Sequence, residues 1–387
     1  MGRSLASNAL TLMVVVLLAV ASFLAWAQTS YRTAGPLREA ICLQVPPGSS
    51  MNSVSRNLAE QGAIQSASLF RLGADYSKKS QQLKAGSFLV NAGASMDEII
   101  ATITASGRST CGTEVNYRIS VNKAEKIVRE LNPQTQRYVE VARFAPGDPE
   151  PAPYTPALRE PGTRLRVTLS EGVTSWQVVD SLSKLDFLEG DVEETPAEGS
   201  LSPDSYEIRQ GTDRNRLIAT MQAQQAEILA EAWQARAPGL PLASAEEALI
   251  LASIVEKETG VAQERPQVAS VFINRLNRGM RLQTDPTVIY GITKGEGGLG
   301  RGLRASELRA RTAWNTYVIQ GLPPTPIANP GRASIEATLD PDGTDYLFFV
   351  ADGTGGHAFA ETLQQHNRNV ARWREIEAEL RARQADN

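Results

Sequence analysis

Apolar residues dominate the start of this chain and then give way to shorter apolar patterns separated by turn residues. No charged residue lies between Arg3 and Arg32, and positions 9–26 are almost entirely apolar. A helix of about 20 residues is long enough to span the roughly 30 Å hydrocarbon core of a bilayer. The pattern therefore predicts a single transmembrane anchor at 9–29.

A cleavable secretory signal is the alternative interpretation of the same apolar block. Ala25, Trp26 and Ala27 resemble the A-x-A pattern of a signal-peptidase site. The apolar stretch is longer than the usual core of a signal peptide, which favours a retained anchor. Positive charges on the two sides do not orient the helix, so we expect the commoner arrangement, with a short tail at 1–8 inside the cell and the remainder exported.

Glycine-containing turns followed by helical patterns recur after the anchor and predict a small α/β module at 38–107. The same kind of turn occurs again at 171–174, before a third helical pattern. Each turn supplies a hydroxyl residue suited to capping the following helix. In the module, the predicted order of strand, helix, helix, strand and helix corresponds to 41–45, 54–61, 67–76, 86–90 and 96–104.

The pattern changes beyond the module, where strand-like segments precede a proline-rich stretch. The segments NYRISV and RYVEVARF favour strands, and five prolines follow within GDPEPAPYTPALREPG. So many prolines favour an extended linker or surface excursion over a packed segment. We therefore place a strand-containing, proline-rich insertion at 108–165 and a larger mixed domain at 166–387. The expected fold class is α+β.

The most informative pattern in the larger domain is an apolar helix that carries a glutamate at its end. Ser244 and Glu247 form an S-x-x-E capping box, which predicts that the helix begins near residue 245. The apolar run LASIV follows and leads to Glu256. Gly260 is well placed to end the helix.

Glu256 is the residue in this helix with the strongest indication of chemistry. It shares a stripe with Leu249 and Ala252, so an apolar wall and the negative end of the helix would both favour its protonated form. A carboxylic acid that keeps its proton near neutral pH can act as the general acid in glycosidic-bond cleavage. The ordinary alternative is a solvated glutamate in a Glu-Lys-Glu run. Glu258 faces another direction and is the weaker candidate.

Polar residues cluster in two later loops and could form the walls of a sugar-binding cleft. The first loop lies in MRLQTDPTVIYG, and the second lies in NTYVIQGLPPTPIANPG, where prolines stiffen the backbone. Each residue taken singly is more often a turn residue or a satisfied surface group. The candidates for substrate binding are Gln283, Thr284, Asp285, Asn315, Tyr317 and Asn329.

Composition and charge exclude several other classes of function. The chain of 387 residues has a formal net charge of −4, and its Lys and Arg residues form no block that would indicate nucleic-acid binding. It has only two histidines and two cysteines, with no spacing typical of a metal site. We therefore expect no metal, no organic cofactor and no nucleic-acid partner.

Export changes the interpretation of the two cysteines, Cys42 and Cys111. An oxidising compartment favours a disulfide over a metal or catalytic site. A bond between them would join the two ends of the small module, and it requires Cα atoms within about 7 Å. The alternative is two buried, reduced cysteines that act as small hydrophobic residues.

Four segments of the chain form a recognisable pattern: LASIVEKETG, ERPQVASVFINRLNRGMRLQTDPTVIYGI, NTYVIQGLPPTPIANPG and FFVADGTGGHAF. Together they resemble the endolytic murein transglycosylase family of membrane-anchored bacterial enzymes. The resemblance extends from about Ile41 to Val370, whereas the excursion from about Gly112 to Arg164 has no counterpart in the family pattern.

The resemblance implies a catalytic role for Glu256 and a LysM-like nature for the 38–107 module. It also implies a single-pass protein of the bacterial inner membrane with a periplasmic catalytic domain. Such enzymes cleave the MurNAc–GlcNAc bond within peptidoglycan glycan strands and leave 1,6-anhydroMurNAc ends. The family further implies contact with peptidoglycan synthases and termination of nascent strands.

Two other functions fit the same residues. A hydrolytic muramidase would use Glu256 together with a second carboxylate, for which Asp285 is the candidate. A non-catalytic cell-wall-binding scaffold would hold glycan through the small module, and Glu256 would then be structural. The masses of released fragments distinguish the three functions, because they show anhydro ends, hydrated ends or no product.

Overall fold

A computed structural model of the chain describes residues 2–105, 109–160 and 162–385. The fold is a mixed α+β fold, as the sequence predicts. The chain divides into two compact units. Unit 1 comprises Met1–Asn116 and Lys126–Leu165, and unit 2 comprises Tyr117–Glu125 and Arg166–Asn387.

The elements in the first half of the chain begin with a long helix and continue as the predicted strand, two helices, strand and helix. Three further strands, a short helix and a sixth strand follow. Their bounds are α1 Gly2–Arg32, β1 Ile41–Val45, α2 Met51–Glu60, α3 Ala67–Tyr76, β2 Gly86–Val90, α4 Met96–Thr104, β3 Thr113–Ile119, β4 Ala124–Asn132, β5 Arg137–Phe144, α5 Tyr154–Arg159 and β6 Arg164–Leu169.

Strands β1 and β2 form an antiparallel pair at the centre of the small module. Ile41 lies opposite Val90, and Val45 lies opposite Gly86. Helix α2 begins three residues before its predicted start because Ser50 caps it: the Ser50 side chain accepts a hydrogen bond from the Ser53 N–H. Capping by Ser50 therefore extends α2 at its start by residues that the apolar pattern alone does not indicate.

The core of the small module consists of apolar side chains from its strands and helices. Helix α4 contributes three isoleucines to this core, and all three are buried. Buried members of this core are Leu43, Leu58, Phe70, Phe88, Ile99, Ile100 and Ile103. The spacing of these residues explains why the sequence predicts the elements of this module well.

Helix α1 contains the apolar block that begins the chain. Among the described residues, one helix is long and apolar enough to cross a membrane, namely Leu10–Arg32, with a mean hydropathy of 2.5. Length and composition alone also fit a signal sequence. The last turns of α1 pack on the small module, because Ala27 is buried and the Tyr31 ring contacts the module core.

Gly73 in α3 makes room for the Tyr31 ring. A Cβ atom at residue 73 would lie 2.1 Å from Cε2 of Tyr31. We predict that Gly73→Ala lowers the free energy of unfolding of unit 1 by about 1–3 kcal/mol through overpacking, although alanine favours a helix. Thermal unfolding of Gly73→Ala, Tyr31→Ala and the double variant checks this. The double variant should lose less than the sum of the single losses, and simple additivity would contradict the contact.

The proline-rich segment is mostly exposed, as the predicted surface excursion would be, but it is anchored by a short helix. It contains α5, in which Tyr154 is fully buried and packs edge-to-face on Phe144, with ring centroids 4.9 Å apart. The Lys126 ammonium lies 4.6 Å from the centroid of the Tyr154 ring. The buried Tyr154 side chain therefore anchors a segment whose proline content alone predicts a surface excursion. Strands β4 and β5 before it form an antiparallel hairpin with a register shift after Val128.

Cys42 and Cys111 form a disulfide within unit 1. Their Cα atoms are 5.6 Å apart, which is within the limit for a bond without backbone movement. Cys42 lies in β1, and Cys111 is fully buried just before β3. The bond therefore closes a loop that contains both strands of the pair and all three helices of the module.

The elements of the second half begin after a turn at 170–174 and belong to unit 2. They are α6 Ser175–Ser183, β7 Leu188–Glu189, β8 Ser205–Ile208, β9 Thr212–Asp213, α7 Arg214–Gln234, α8 Ala245–Glu258, α9 Arg265–Asn277, α10 Asp285–Thr293, α11 Ala305–Arg309, α12 Arg332–Leu339, β10 Phe348–Ala351, β11 His357–Ala360 and α13 Leu363–Ala385. Helices α7, α8, α9 and α12 supply most of one apolar core.

Candidate active site

Helix α8 carries Glu256 in its last turn. The helix begins after Ser244, whose side chain accepts a hydrogen bond from the Glu247 N–H, as the capping box predicts. It ends at Glu258 because Thr259 has an extended backbone, and both the N–H and the hydroxyl of Thr259 donate to the Val255 carbonyl oxygen at this end. The helix ends where the glycine predicts, with Thr259 as the C-cap and Gly260 directly after it, although Gly260 does not adopt a left-handed conformation.

The Glu256 carboxylate lies at the N-terminus of α12. Its Oε2 atom accepts hydrogen bonds from the Gly331 N–H at 3.1 Å and from the Ser334 hydroxyl at 2.7 Å. The side chain is partly exposed. These surroundings differ from the apolar wall that the sequence predicts, because the free N–H groups of a helix N-terminus favour an acidic group there.

Glu171 is a second carboxylate in contact with Gly331. It lies in the turn between β6 and α6, and a Cβ atom on Gly331 would lie 1.8 Å from its Oε1 atom. Burial and the Glu256 charge, in that order, raise the pKa of Glu171, and Arg265 opposes the rise. The Arg265 guanidinium is 3.9 Å from Glu171 Oε2. Two carboxyl groups therefore meet at one glycine.

Two more charged residues, Lys257 and Glu198, lie close to Glu171 and Glu256. Lys257 donates a hydrogen bond to the Gly172 carbonyl oxygen at 3.3 Å, and burial lowers the pKa of its ammonium. Glu198 accepts a hydrogen bond from the Ser175 N–H at 2.8 Å, and burial raises the pKa of its carboxyl. Two side chains with shifted pKa values, Lys257 and Glu198, therefore hydrogen-bond to the turn that carries Glu171.

Glu258 belongs to a different cluster on the other side of α8, as its position two residues from Glu256 predicts. The Thr284 hydroxyl donates a hydrogen bond to it, and burial raises the pKa of its carboxyl, with the Asp285 charge adding to the rise. The Tyr317 hydroxyl donates to Asp285 Oδ1 at 2.7 Å. Asp285 therefore lies with Glu258 and Tyr317.

The loop before α10 presents Gln283 to solvent in a strained conformation. Its φ of 52° lies in the left-handed region, and its side chain is exposed. The neighbouring Leu282 and Thr284 are buried, which holds the backbone in place. A strained residue with an exposed amide is a feature that clusters at ligand sites. The structure thus brings together four of the six predicted binding residues: Gln283, Thr284, Asp285 and Tyr317.

Asn315 and Asn329, the other two predicted binding residues, are fully buried. The Asn315 amide donates to three backbone carbonyl oxygens of the 307–310 segment at 2.7–3.1 Å. Asn329 accepts from the Leu201 N–H and donates to the Val173 carbonyl oxygen, each at 2.9 Å. In the structure, both amides therefore hold loops in place.

The sequence alone does not identify three residues of this site, namely Glu171, Gly331 and Ser334. The turn at 171–174 is visible in the sequence as a helix-capping pattern, but nothing local connects it to Glu256. Ser334 is a fully buried serine inside a short helix. Within the described residues, no group of three or more His, Cys, Asp or Glu side chains is arranged to hold a metal ion.

A sequence model of the YceG-like family matches residues 43–145 and 149–372. The chain belongs to the YceG-like family. This match contains most of the 112–164 segment, so the expectation that the segment lacks a family counterpart is wrong. The four segments that carry the resemblance all lie within the residues that the family model matches.

Relatives of this YceG-like chain have been named for their activity. It is 28% identical over 333 residues to an endolytic murein transglycosylase of Bacillus subtilis, with 86% of this chain and 84% of that protein covered. It is 25% identical over 347 residues to an endolytic murein transglycosylase of Streptococcus pneumoniae, of which it spans 58%. A YceG-like protein of Listeria monocytogenes in a crystal structure is 26% identical, with a TM-score of 0.45 and coverage of 85% and 98% of the two chains.

Proposed function

We propose that this protein is a membrane-anchored endolytic lytic transglycosylase that cleaves the MurNAc–GlcNAc bond within peptidoglycan strands. Family membership and the names of the relatives support the substrate class. The observation that carries the proposal is the setting of Glu256. This carboxyl group is partly exposed at the end of a buried helix, and both hydrogen bonds described above reach its Oε2 atom. Oε1 is then the atom available for proton transfer.

The proposed reaction uses Glu256 twice. As an acid it protonates the bridging oxygen between MurNAc and GlcNAc, and that bond breaks as positive charge develops on the MurNAc ring. As the resulting carboxylate it accepts the proton of the sugar's own 6-hydroxyl, whose oxygen bonds to the anomeric carbon. The product is a 1,6-anhydroMurNAc end, and no water is consumed. The protein ends the cycle in its starting protonation state.

Gln283, Asp285 and Tyr317 are our proposed contacts for the glycan. Gln283 and Asp285 are exposed, and the hydrogen bond between Tyr317 and Asp285 fixes the orientation of both polar groups. Thr284, Asn315 and Asn329 are buried, so their part in the proposal is to hold the loops. Substrate contact is therefore predicted for Gln283, Asp285 and Tyr317.

A hydrolytic muramidase remains the second candidate because a second carboxylate lies beside Glu256. The first choice from the sequence, Asp285, lies with Glu258, whereas Glu171 meets Gly331 together with Glu256. A hydrolase needs its second carboxylate about 5 Å away if it retains configuration and about 6.5–9.5 Å away if it inverts. In this alternative, Glu171 would activate water or form the covalent intermediate.

The masses of fragments released from purified glycan strands test the proposed function. A lytic transglycosylase leaves ends that are lighter by one water molecule than the reducing ends of a muramidase. Internal cleavage of long strands into anhydro-ended fragments is the expected result. Reducing ends would assign the protein to the hydrolases, and the absence of any fragment would favour the cell-wall-binding scaffold.

We also propose that α1 is retained as a single-pass anchor in the bacterial inner membrane, with the catalytic unit in the periplasm. The helix runs through Ala25, Trp26 and Ala27 without a break, and the buried Ala27 and the Tyr31 ring pack on the small module. We expect alkaline carbonate to leave the protein in the membrane fraction. N-terminal sequencing of the extracted protein checks the alternative, because a start at Gln28 would mean a cleaved signal and a soluble enzyme.

The proposed partners are glycan strands and, through the family, peptidoglycan synthases. Cleavage close to the membrane would end the elongation of nascent strands. The LysM-like nature of the small module belongs to the same proposal, supported by its strand-helix-helix-strand order and antiparallel strand pair. Crosslinking in cells that elongate their wall, followed by identification of the captured synthase, checks the partnership. Capture that is equal for a variant lacking the periplasmic units would contradict it.

A further inference from the structure

The turn that carries Glu171 is fixed from one side by the fully buried Asn329. The Gly172 N–H donates to the Asn329 carbonyl oxygen at 2.9 Å, and the Asn329 N–H donates to the Val173 carbonyl oxygen at the same distance. The Asn329 side chain adds a second donor to the Val173 oxygen, also at 2.9 Å. Three hydrogen bonds from one buried residue therefore hold two consecutive residues of the turn.

Other elements hold the same turn from its remaining sides. Lys257, the residue after Glu256, donates to the Gly172 carbonyl oxygen, and the Thr174 hydroxyl donates to the Gly295 carbonyl oxygen at 2.5 Å. Glu198 accepts from the Ser175 N–H. The backbone from residue 172 to residue 175 is thus fixed in place, which fixes the direction in which Glu171 leaves the turn.

Gly331 provides the space into which the Glu171 carboxylate extends. Its φ of −72° and ψ of 164° are extended values that any residue adopts, so the backbone does not require a glycine here. A Cβ atom would, however, coincide with the position of the Glu171 carboxylate. The missing side chain therefore allows Glu171 to reach the residue whose N–H binds Glu256.

We propose that Glu171 is a positioning residue for Glu256: the two carboxyl groups share one proton at the N-terminus of α12, and this sharing sets the pH range of glycan cleavage. This inference rests on the proposed function. Two carboxyl groups so close repel each other when both are ionised, so their protons belong to the pair. Burial and the Glu256 charge raise the pKa of Glu171, so the pair keeps a proton for delivery to the bridging oxygen up to a higher pH than a single free carboxyl would.

The charges around the pair are consistent with this role. Arg265 from α9 lies near Glu171, and its positive charge limits the repulsion without removing it, because Glu171 keeps a raised pKa. Lys257 interacts electrostatically with Glu256 and with Glu198, and both Lys257 and Glu198 contact the turn. Arg332, the residue after Gly331, bonds to Glu231 at 3.0 Å and to Glu336 at 3.5 Å. Its charge is therefore largely taken up by these two carboxylates.

The test is the pH profile of kcat/KM for Glu171→Gln in the full-length protein, measured with purified glycan strands. Without Glu171, the proton of the pair has no second carboxyl to hold it as the pH rises. The alkaline limb of the profile should therefore move to lower pH by about one unit. At the low-pH plateau the variant should retain activity within about tenfold of the unchanged protein. An unshifted limb would overturn the proposal.

Gly331→Ala tests the same idea without removing a charge. Its new methyl group displaces the Glu171 carboxylate from Glu256, so we expect an alkaline limb shifted in the same direction. Glu227→Gln is the matched control, because it removes an exposed carboxylate elsewhere in unit 2, on α7, and should leave the profile unchanged. An equal shift in Glu227→Gln would mean that loss of any negative charge has this effect, and it would overturn the assignment to Glu171.

Two further outcomes separate this inference from the proposed function. Folded Glu171→Gln that is inactive at every pH would show that Glu171 takes part in the chemistry directly, which overturns a positioning role. Normal anhydro-product formation by Glu256→Gln would end the proposed function, whatever the Glu171 profile shows. Circular dichroism of each variant identifies the folded ones. If Glu171→Gln does not fold, Gly331→Ala provides the test, and an unshifted alkaline limb in its pH profile overturns the inference.

Discussion

Glu256→Gln is expected to reduce glycan cleavage by about 10²–10⁴-fold while leaving the fold intact. Glutamine has the shape of glutamate but cannot deliver a proton to the bridging oxygen. Its amide oxygen can still accept the hydrogen bonds from Gly331 and Ser334, and the side chain is already partly exposed. The substitution should therefore remove the chemistry without creating a buried unpaired group.

The release of anhydro-ended fragments under single-turnover conditions measures this loss. Glu258→Gln is the matched control, since it makes the same chemical change two residues away in the cluster of Thr284 and Asp285. It should lower the rate much less than Glu256→Gln does. Near-normal formation of anhydro product by the Glu256 variant, or an equal loss in both variants, would remove Glu256 as the general acid.

Local signals in the sequence predict much of the fold. Ser244 and Glu247 mark the start of α8, and the apolar spacing after Ser95 marks α4. These signals work because capping and burial of one helix face are local requirements. The proline-rich segment is the exception: its composition predicts an extended excursion, but the burial of Tyr154 depends on contacts with Lys126 and Phe144.

The candidate site is less predictable because its residues come from distant parts of the chain. The position of Glu256 can be inferred from its helix, but its donors Gly331 and Ser334 lie 75 and 78 residues further on. No periodicity connects such positions. The buried amides of Asn315 and Asn329 show the same limitation, since the sequence identifies them as polar loop residues without showing that they face the backbone.

Because Glu258 lies two residues after Glu256 in the same helix, the sequence predicts the direction of its side chain but not its surroundings. Helix geometry predicts that it faces away from Glu256, and its partner Thr284 agrees with this. Burial at that place raises the pKa of its carboxyl, which depends on tertiary packing. Glu171, beside Glu256, also has a raised pKa, so this property does not separate the two clusters at the end of α8, and the substitutions above do.

Replacing both Cys42 and Cys111 with alanine is expected to lower the free energy of unfolding of the small module by up to about 4 kcal/mol. The disulfide closes a loop with a sequence separation of 69, so its loss gives the unfolded chain more conformational freedom. Alanine suits the fully buried position 111, because it introduces no polar atom there.

Hydrogen–deuterium exchange of peptides from α2, α3 and β2 measures the effect without unfolding unit 2. Reductant should accelerate exchange in the unchanged protein and have no effect in the double variant. Equal protection in both proteins, or two free thiols titrated in the oxidised, denatured chain, would contradict a stabilising bond.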